Sequence, residues 1–148
     1  RARFRDFEKR PFDELNTGTN QATGVRQTIF IDGPGRDVWL GYRYEYEDPY
    51  HQAGDLFGYN GHEVSVGVDW RLPWAVTTEA SYTYEHQEYF KQSGGRNDEE
   101  HQVVFAARKA ISEHLNLIAG YFGTFNDSNQ SLFKFHRHIG SLGFEVRY

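Results

Sequence analysis

Polar and apolar residues alternate over long stretches of this sequence, and this alternation restricts the fold more than any other feature. In "VWLGYRYEYE" every second residue from Val38 to Tyr46 is apolar or aromatic, and Arg43, Glu45 and Glu47 follow the opposite phase. "HEVSVGVDWRL" repeats the pattern from Val64 to Leu72. Successive side chains of a strand point to opposite faces, so a period of two over such lengths predicts β-strands.

About eight such strands are predicted, and in the sixth and seventh the alternation is less regular. They cover residues 1–9, 20–31, 36–48, 61–72, 75–90, 99–110, 115–126 and 131–148. The connections fall into two groups. "DGPG", "LPW" and "ISEH" are short, whereas "EKRPFDELNTGTN", "DPYHQAGDLFGYNG" and "KQSGGRND" are longer and polar, and "NDSN" falls on the same side as the longer ones. Short turns at one end and long loops at the other are typical of an outer-membrane β-barrel.

The composition supports the same fold class. Aromatic residues make up 17% of the chain, although its mean hydropathy is −0.77. A barrel with lipid outside and water inside explains both values, because each strand is then apolar on one face and polar on the other. The sequence therefore predicts an all-β, transmembrane, antiparallel up-and-down barrel. Residues 1–148 would form a complete small barrel or the C-terminal portion of a larger one.

Other classes of protein are disfavoured. The chain has no Cys, which removes thiolate metal sites and thiol catalysis, and its net charge of −5 does not indicate nucleic acid as a partner. No apolar run is long enough for a membrane-spanning helix. We expect no cofactor and no enzymatic activity, a location in the bacterial outer membrane, and contact with outer-membrane lipid and lipopolysaccharide.

The polar face of the predicted strands carries charges that would point into the lumen. They are Arg43, Glu45, Glu47, Glu63, Asp69, Arg71, Glu79, Glu85, Glu145 and Arg147. Opposite charges on neighbouring strands would pair across the wall, and a charged lumen could also conduct ions or guide a polar polymer. A closed eight-stranded barrel is filled by its own side chains, so the pore alternative requires further strands.

Several residues are expected near the membrane surfaces. Trp39, Trp70 and Trp74 lie near the short turns and suggest an aromatic belt, although Trp39 has the parity of the polar face. Five acidic residues are predicted in long loops, where they are either solvated or bridged to lipopolysaccharide by divalent cations. They are Asp48, Asp55, Asp98, Glu99 and Glu100.

Histidine suggests two further kinds of site. His136 and His138 share one face of a strand, a spacing that could chelate a metal, but a polar rim near lipid headgroups is the favoured interpretation. His138, Ser141 and Glu145 suggest the triad of a lipid-modifying barrel enzyme. In a continuous strand, however, residues three apart point to opposite faces, which argues against a triad.

The chain ends in "GSLGFEVRY", with Leu142, Phe144, Val146 and Tyr148 on one face. A strand with a terminal aromatic residue resembles the C-terminal signal that the barrel-assembly machinery reads in bacterial outer-membrane proteins. The resemblance implies that this machinery is a partner during biogenesis. We expect the last strand to be paired within a barrel.

Two longer segments carry a more particular resemblance. "GDLFGYNGHEVSVGVDWRLPWAVTTEASYTYEHQEY" and "ISEHLNLIAGYFGTFNDSNQSLFKFHRHIGSLGFEVRY" resemble the C-terminal barrel of outer-membrane proteins that carry periplasmic tetratricopeptide repeats, such as surface lipoprotein assembly modifiers and related polymer-export barrels. The resemblance implies a barrel of more than eight strands that acts as the pore or membrane anchor of an export or surface-assembly system, with a periplasmic repeat domain or partner proteins. The alternative from the residues alone is a closed barrel whose loops bind or adhere.

Overall fold

The chain folds into one antiparallel sheet whose strands follow each other in chain order. The computed structural model describes residues 2–5, 18–31, 35–49, 57–91 and 94–146, and their side chains from Asn20 onward. The strands are β1 (Ala2–Arg5), β2 (Gly18–Phe30), β3 (Arg36–Pro49), β4 (Tyr59–Leu72), β5 (Val76–Tyr89), β6 (Arg96–Ala110), β7 (Leu115–Ser128) and β8 (Phe135–Val146). The predicted all-β, up-and-down fold is confirmed.

Strand length and loop asymmetry also agree with the sequence. The strands from β2 to β8 have 12 to 15 residues, which is enough to cross a bilayer at a tilt. The connections after β2, β4 and β6 are short, and we call their side of the sheet the short-turn end. The connections after β1, β3, β5 and β7 are longer and define the long-loop end. No helix in the described ranges is long and apolar enough to span a membrane.

The prediction for the last connection is wrong. Residues 126–128 of "NDSN" still belong to β7, because the ladder with β6 continues until Ser128 pairs with Asp98. The connection covers residues 129–134 instead and contains a single-turn 3-10 helix at Ser131–Phe133. Polar residues thus extend the strand because their partners on β6 are also polar and remain in register.

The sheet separates the side chains onto two faces. The charged face holds Asp37, Trp39, Gly41, Arg43, Glu45 and Glu47 of β3 and the residues in register with them on the other strands. The apolar face holds the intervening residues of β3, from Val38 to Tyr46, and their register partners, such as Val66, Phe105 and Leu142. The register also assigns the residues of β6 and β7 to the two faces, although the alternation in their sequence is the least regular.

Burial on these faces is the inverse of that in a water-soluble β-protein. The described residues include no buried hydrophobic side chain, and the buried polar ones all lie on the charged face: Asp98, Asn116, Thr124, Asn126 and Ser128. On the apolar face Val25, Val66 and Leu142 remain 42–74% exposed. Since a contiguous apolar surface of this kind is stable only against an apolar medium, we interpret the apolar face as the membrane-facing side.

Val66 and Ser65 offer a test of this assignment. Val66 lies in the middle of β4 on the apolar face, and Ser65 follows the opposite parity. We expect Val66→Arg to lower the free energy of unfolding in a bilayer by about 2–4 kcal/mol, because the guanidinium would be placed in hydrocarbon. Ser65→Arg, the matched control, should cost much less. Denaturant titration of the protein folded in lipid vesicles measures both, and equal costs would reverse or abolish the assignment.

Candidate functional site: the charged face

The charged face carries more negative than positive charge. Between β2 and β8 its described residues include ten carboxylates and six guanidinium groups, and every cation is an arginine. Residues directly opposite each other on adjacent strands form register rows that run across the sheet. The rows allow each charge to be placed relative to its neighbours, which the sequence alone does not.

One register row near the long-loop end holds three carboxylates side by side. In this row Arg43 pairs with Glu63, Glu63 with Glu85, and Glu85 with Glu100. Like charges directly opposite each other on a sheet destabilise it. Arg43 relieves only one side, with its Nη2 atom 2.7 Å from Glu63 Oε2 and 3.5 Å from a carboxylate oxygen of Glu45.

Neutral amides hold the remaining carboxylates of this region. Gln87 Nε2 donates to Glu85 Oε1 at 2.9 Å, and Gln102 Nε2 donates to Glu100 Oε1. Asn20 Nδ2 donates to both Glu45 and Glu47, at 2.7 and 3.0 Å. An amide donor has no formal charge, so it restricts the position of a carboxylate without placing a positive charge beside it.

Arginines of the charged face lie against aromatic rings. The guanidinium carbon of Arg26 is 3.9 Å from the Trp39 ring centroid, and that of Arg137 is 5.5 Å from the Phe122 centroid. Arg96 forms an ion pair with Asp98 and also lies 3.4 Å from the ring centroid of Phe133. These cation–π contacts hold the guanidinium groups against the wall, with Arg96 largely buried and Arg26 and Arg137 exposed.

The middle of the charged face has a floor of small residues. A groove of about 400 Å³ is bordered by Arg26, Trp39 and Arg43, and its floor includes Gly41, Ser65 and Thr83. The described side chains therefore leave space over the middle of the strands.

Trp39 packs against Gly67, its register partner on β4. A β-carbon on Gly67 would overlap the indole ring, so glycine is required there for close approach. Trp39 consequently lies on the charged face and does not belong to an aromatic belt on the other side. Trp70 and Trp74 are placed at the short-turn end, Trp70 on the apolar face and Trp74 in the β4–β5 turn with 84% of its surface exposed.

A second acidic row lies nearer the short-turn end. Asp37, Asp69 and Glu79 are in register on β3, β4 and β5. Arg71 follows Asp69 by two positions on the same face. At the β8 edge of the same face, Glu145 accepts a hydrogen bond from Asn116 at 2.9 Å and lies 3.3 Å from Arg108.

All the predicted lumen charges from Arg43 to Glu145 lie on this one face, whereas Arg147 and Tyr148 fall outside the described residues. Several of its charges were missed by the sequence analysis: Arg26, Asp37, Arg96, Asp98, Glu100, Arg108 and Arg137. Asp48, Asp98, Glu99 and Glu100 are not loop residues, because β3 and β6 extend over them, and Asp55 is outside the described ranges. The register of β6 with β5 is the signal that assigns Glu100 to the row.

The long-loop end of the apolar face carries three similar pairs, which we call the Tyr–His pairs: Tyr42–His62, Tyr82–His101 and Tyr121–His138. In each pair the tyrosine hydroxyl lies 2.6–2.8 Å from Nδ1 of the histidine on the next strand. A second aromatic residue, Tyr44, Tyr84 or Phe125, lies about 5.1–5.2 Å from the same imidazole. Side chains with an aromatic body and a polar tip suit the boundary between hydrocarbon and water.

The other histidine hypotheses meet geometric obstacles. His138 hydrogen-bonds with Tyr121, and no group of three or more potential metal ligands is close enough to hold an ion within the described part of the chain. His136 shares its face but contacts the edge of Phe125. Ser141 lies on the charged face, whereas His138 lies on the apolar face. The Ser141 hydroxyl donates to the Gly120 carbonyl at 3.5 Å.

Comparison with known protein families agrees with this geometry. The family described as "Putative beta-barrel porin 2" matches residues 51–148, which include β4 to β8. The chain therefore belongs to this family of β-barrel porins. No curated protein and no solved structure gives a significant match.

The contact between Trp39 and Gly67 gives a prediction about packing. Gly67→Ala should lower the free energy of unfolding by about 1–3 kcal/mol, because the methyl group overlaps the indole. Gly143→Ala is the matched control on the same face, since a β-carbon there meets no atom within 4 Å. Denaturant titration in detergent or vesicles compares them. In a Trp39→Leu background, Gly67→Ala should lower the free energy of unfolding by less. If the loss were unchanged, overlap with the indole ring would not be the reason that glycine is required.

Proposed function

We propose that this chain forms part of the wall of a water-filled pore in a Gram-negative-type outer membrane, and that the pore serves an export or surface-assembly system. One observation carries the proposal: the buried polar side chains lie on the charged face, while the large apolar side chains of the other face are exposed. Membership in a β-barrel porin family supports the pore. The export role rests on the resemblance to repeat-linked barrels.

The width of the barrel is part of the proposal. A closed barrel of eight strands is filled by side chains, but the lining of the groove includes residues as small as Gly41, Ser65 and Thr83. In the membrane, the outer edges of β1 and β8 must also find hydrogen-bonding partners. Further strands between these edges would satisfy the backbone and keep the lumen open.

The partners follow from the two surfaces. Outer-membrane lipid and lipopolysaccharide would contact the apolar face, with the Tyr–His pairs at the headgroups. During biogenesis the barrel-assembly machinery would read the last strand, of which Leu142, Phe144 and Val146 lie on the apolar face. A periplasmic repeat domain or partner proteins would deliver the substrate. We propose no catalytic role, because His138 and Ser141 point to opposite faces.

A closed barrel with loop-mediated binding is the second candidate, and one contact between two connections at the long-loop end favours it. Asn129 in the β7–β8 connection accepts a hydrogen bond from the Asn97 backbone at 3.0 Å and donates to the Gly95 carbonyl at 2.7 Å. The connection is thereby joined to the neighbouring one, which would give the long-loop end a fixed surface for binding.

Conductance separates the two candidates. The native protein that contains this chain, extracted in detergent and inserted into a planar bilayer, should give stable stepwise currents if the charged face lines an open path. A closed barrel filled by side chains would give none. A denatured and refolding-incompetent sample at the same detergent concentration serves as the control for leakage.

The intact mass of the same native protein provides an independent test of barrel width. We expect a mass well above the 17.3 kDa of this chain, because the pore requires additional strands. A native monomer of 17.3 kDa would mean that eight strands close on themselves, and the function would then belong to the loops.

A further inference from the structure

We propose that the pore prefers cations to anions, and that the register row of Glu63, Glu85 and Glu100 is the main determinant of this preference. The inference rests on the proposed function, since selectivity requires that the charged face line a water-filled path. It deepens that function by naming the class of solute that the wall attracts: hydrated inorganic cations and the cationic groups of larger substrates.

The distribution of charge along the strands is the first observation. From β2 to β8, the three register rows nearest the long-loop end contain six carboxylates, Glu45, Glu47, Glu63, Glu85, Asp98 and Glu100, against Arg43 and Arg96. Arg96 and Asp98 neutralise each other in an ion pair in which both side chains are nearly buried. Five carboxylates therefore remain in these rows between β2 and β8, with Arg43 as the one further cation there; Arg3 of β1 is in register with Asn20 at the edge of the same rows.

The neighbours of Glu85 and Glu100 are the second observation. Each stands directly opposite another carboxylate, and each accepts a hydrogen bond from a glutamine. Among the described residues neither forms an ion pair. Placing like charges opposite each other costs stability unless mobile counterions screen them. A lumen that attracts cations supplies that screening.

The placement of the arginines is the third observation. Arg26 and Arg137 end the register row next to the carboxylates, and both lie over aromatic rings. Their guanidinium groups are thus held against the wall, whereas the carboxylates are held by neutral amides that add no positive charge. The local potential above the row is therefore set by the excess of carboxylates.

A buried hydroxyl in the adjacent row is the fourth observation. Thr124 is 2% exposed, and its Oγ1 atom has no hydrogen-bonding partner within the described residues. It pairs in register with Gln102, whose amide holds Glu100. Because this hydroxyl is enclosed by its neighbours and uncharged, it leaves the negative charge of the carboxylate row beside Gln102 unchanged. Since no cluster of ligands is close enough to hold a metal among the described residues, the cation would pass hydrated and not be bound at a fixed site.

The reversal potential of the native protein in a planar bilayer tests the inference. With a tenfold gradient of KCl, its sign should show that K⁺ is more permeant than Cl⁻. The isosteric variants Glu85→Gln and Glu100→Gln should each lower the permeability ratio by about twofold, the effect of one unit charge across about 8 Å of water, and the double variant should lower it further.

Glu99→Gln is the matched control. Glu99 is adjacent to Glu100 in β6 but lies on the apolar face. The variant therefore removes one negative charge at the same height along the strand and leaves the charge of the lumen unchanged. Its permeability ratio should equal that of the unmodified protein. A second measurement needs no variant: raising the salt from about 0.1 to 1 M shortens the Debye length from about 10 to 3 Å, so the preference for K⁺ should weaken.

The outcomes distinguish this inference from the proposed function. If no preparation conducts, the pore itself is wrong. If currents appear but Cl⁻ is preferred, or if the Glu99 variant changes the ratio as much as the Glu100 variant, the pore stands and the cation row is overturned. A preference for K⁺ that depends on Glu85 and Glu100 and weakens with salt supports the inference.

Discussion

A backbone amide or carbonyl in hydrocarbon must find its hydrogen-bonding partner within the protein, and the rest of this structure depends on how the strands meet that requirement. Each strand from β3 to β7 is bonded on both sides by its neighbours in sequence. With the backbone groups used in this way, parity alone decides which medium a side chain contacts. The apolar face and the charged face are therefore consequences of one antiparallel ladder.

Parity explains why so much of the fold was predictable from the sequence. The predicted bounds of β3, β4 and β5 differ from the observed ones by at most two residues, because the runs around Tyr44, Val66 and Tyr82 alternate without interruption. The bound at "NDSN" was predicted wrongly because these four polar residues show no alternation. Asn and Ser are frequent in turns, and only their pairing with polar residues of β6 reveals that the strand continues.

The candidate site was less predictable because it depends on register. A sequence shows that Glu63, Glu85 and Glu100 are acidic, but their alignment follows from how β4, β5 and β6 are offset. The same holds for Trp39, whose contact with Gly67 lies across a strand pair. Turn lengths restrict such offsets but do not determine which side chains become neighbours over a whole row.

The Tyr–His pairs have a consequence for how such a barrel is assembled. Each pair lies within a single hairpin joined by a longer connection: β3–β4, β5–β6 or β7–β8, with the tyrosine on the first strand and the histidine on the second. Each hairpin thus brings its own contact to the membrane surface as soon as its two strands meet. A barrel built in this way can gain or lose hairpins in evolution without rebuilding its boundary with the headgroups.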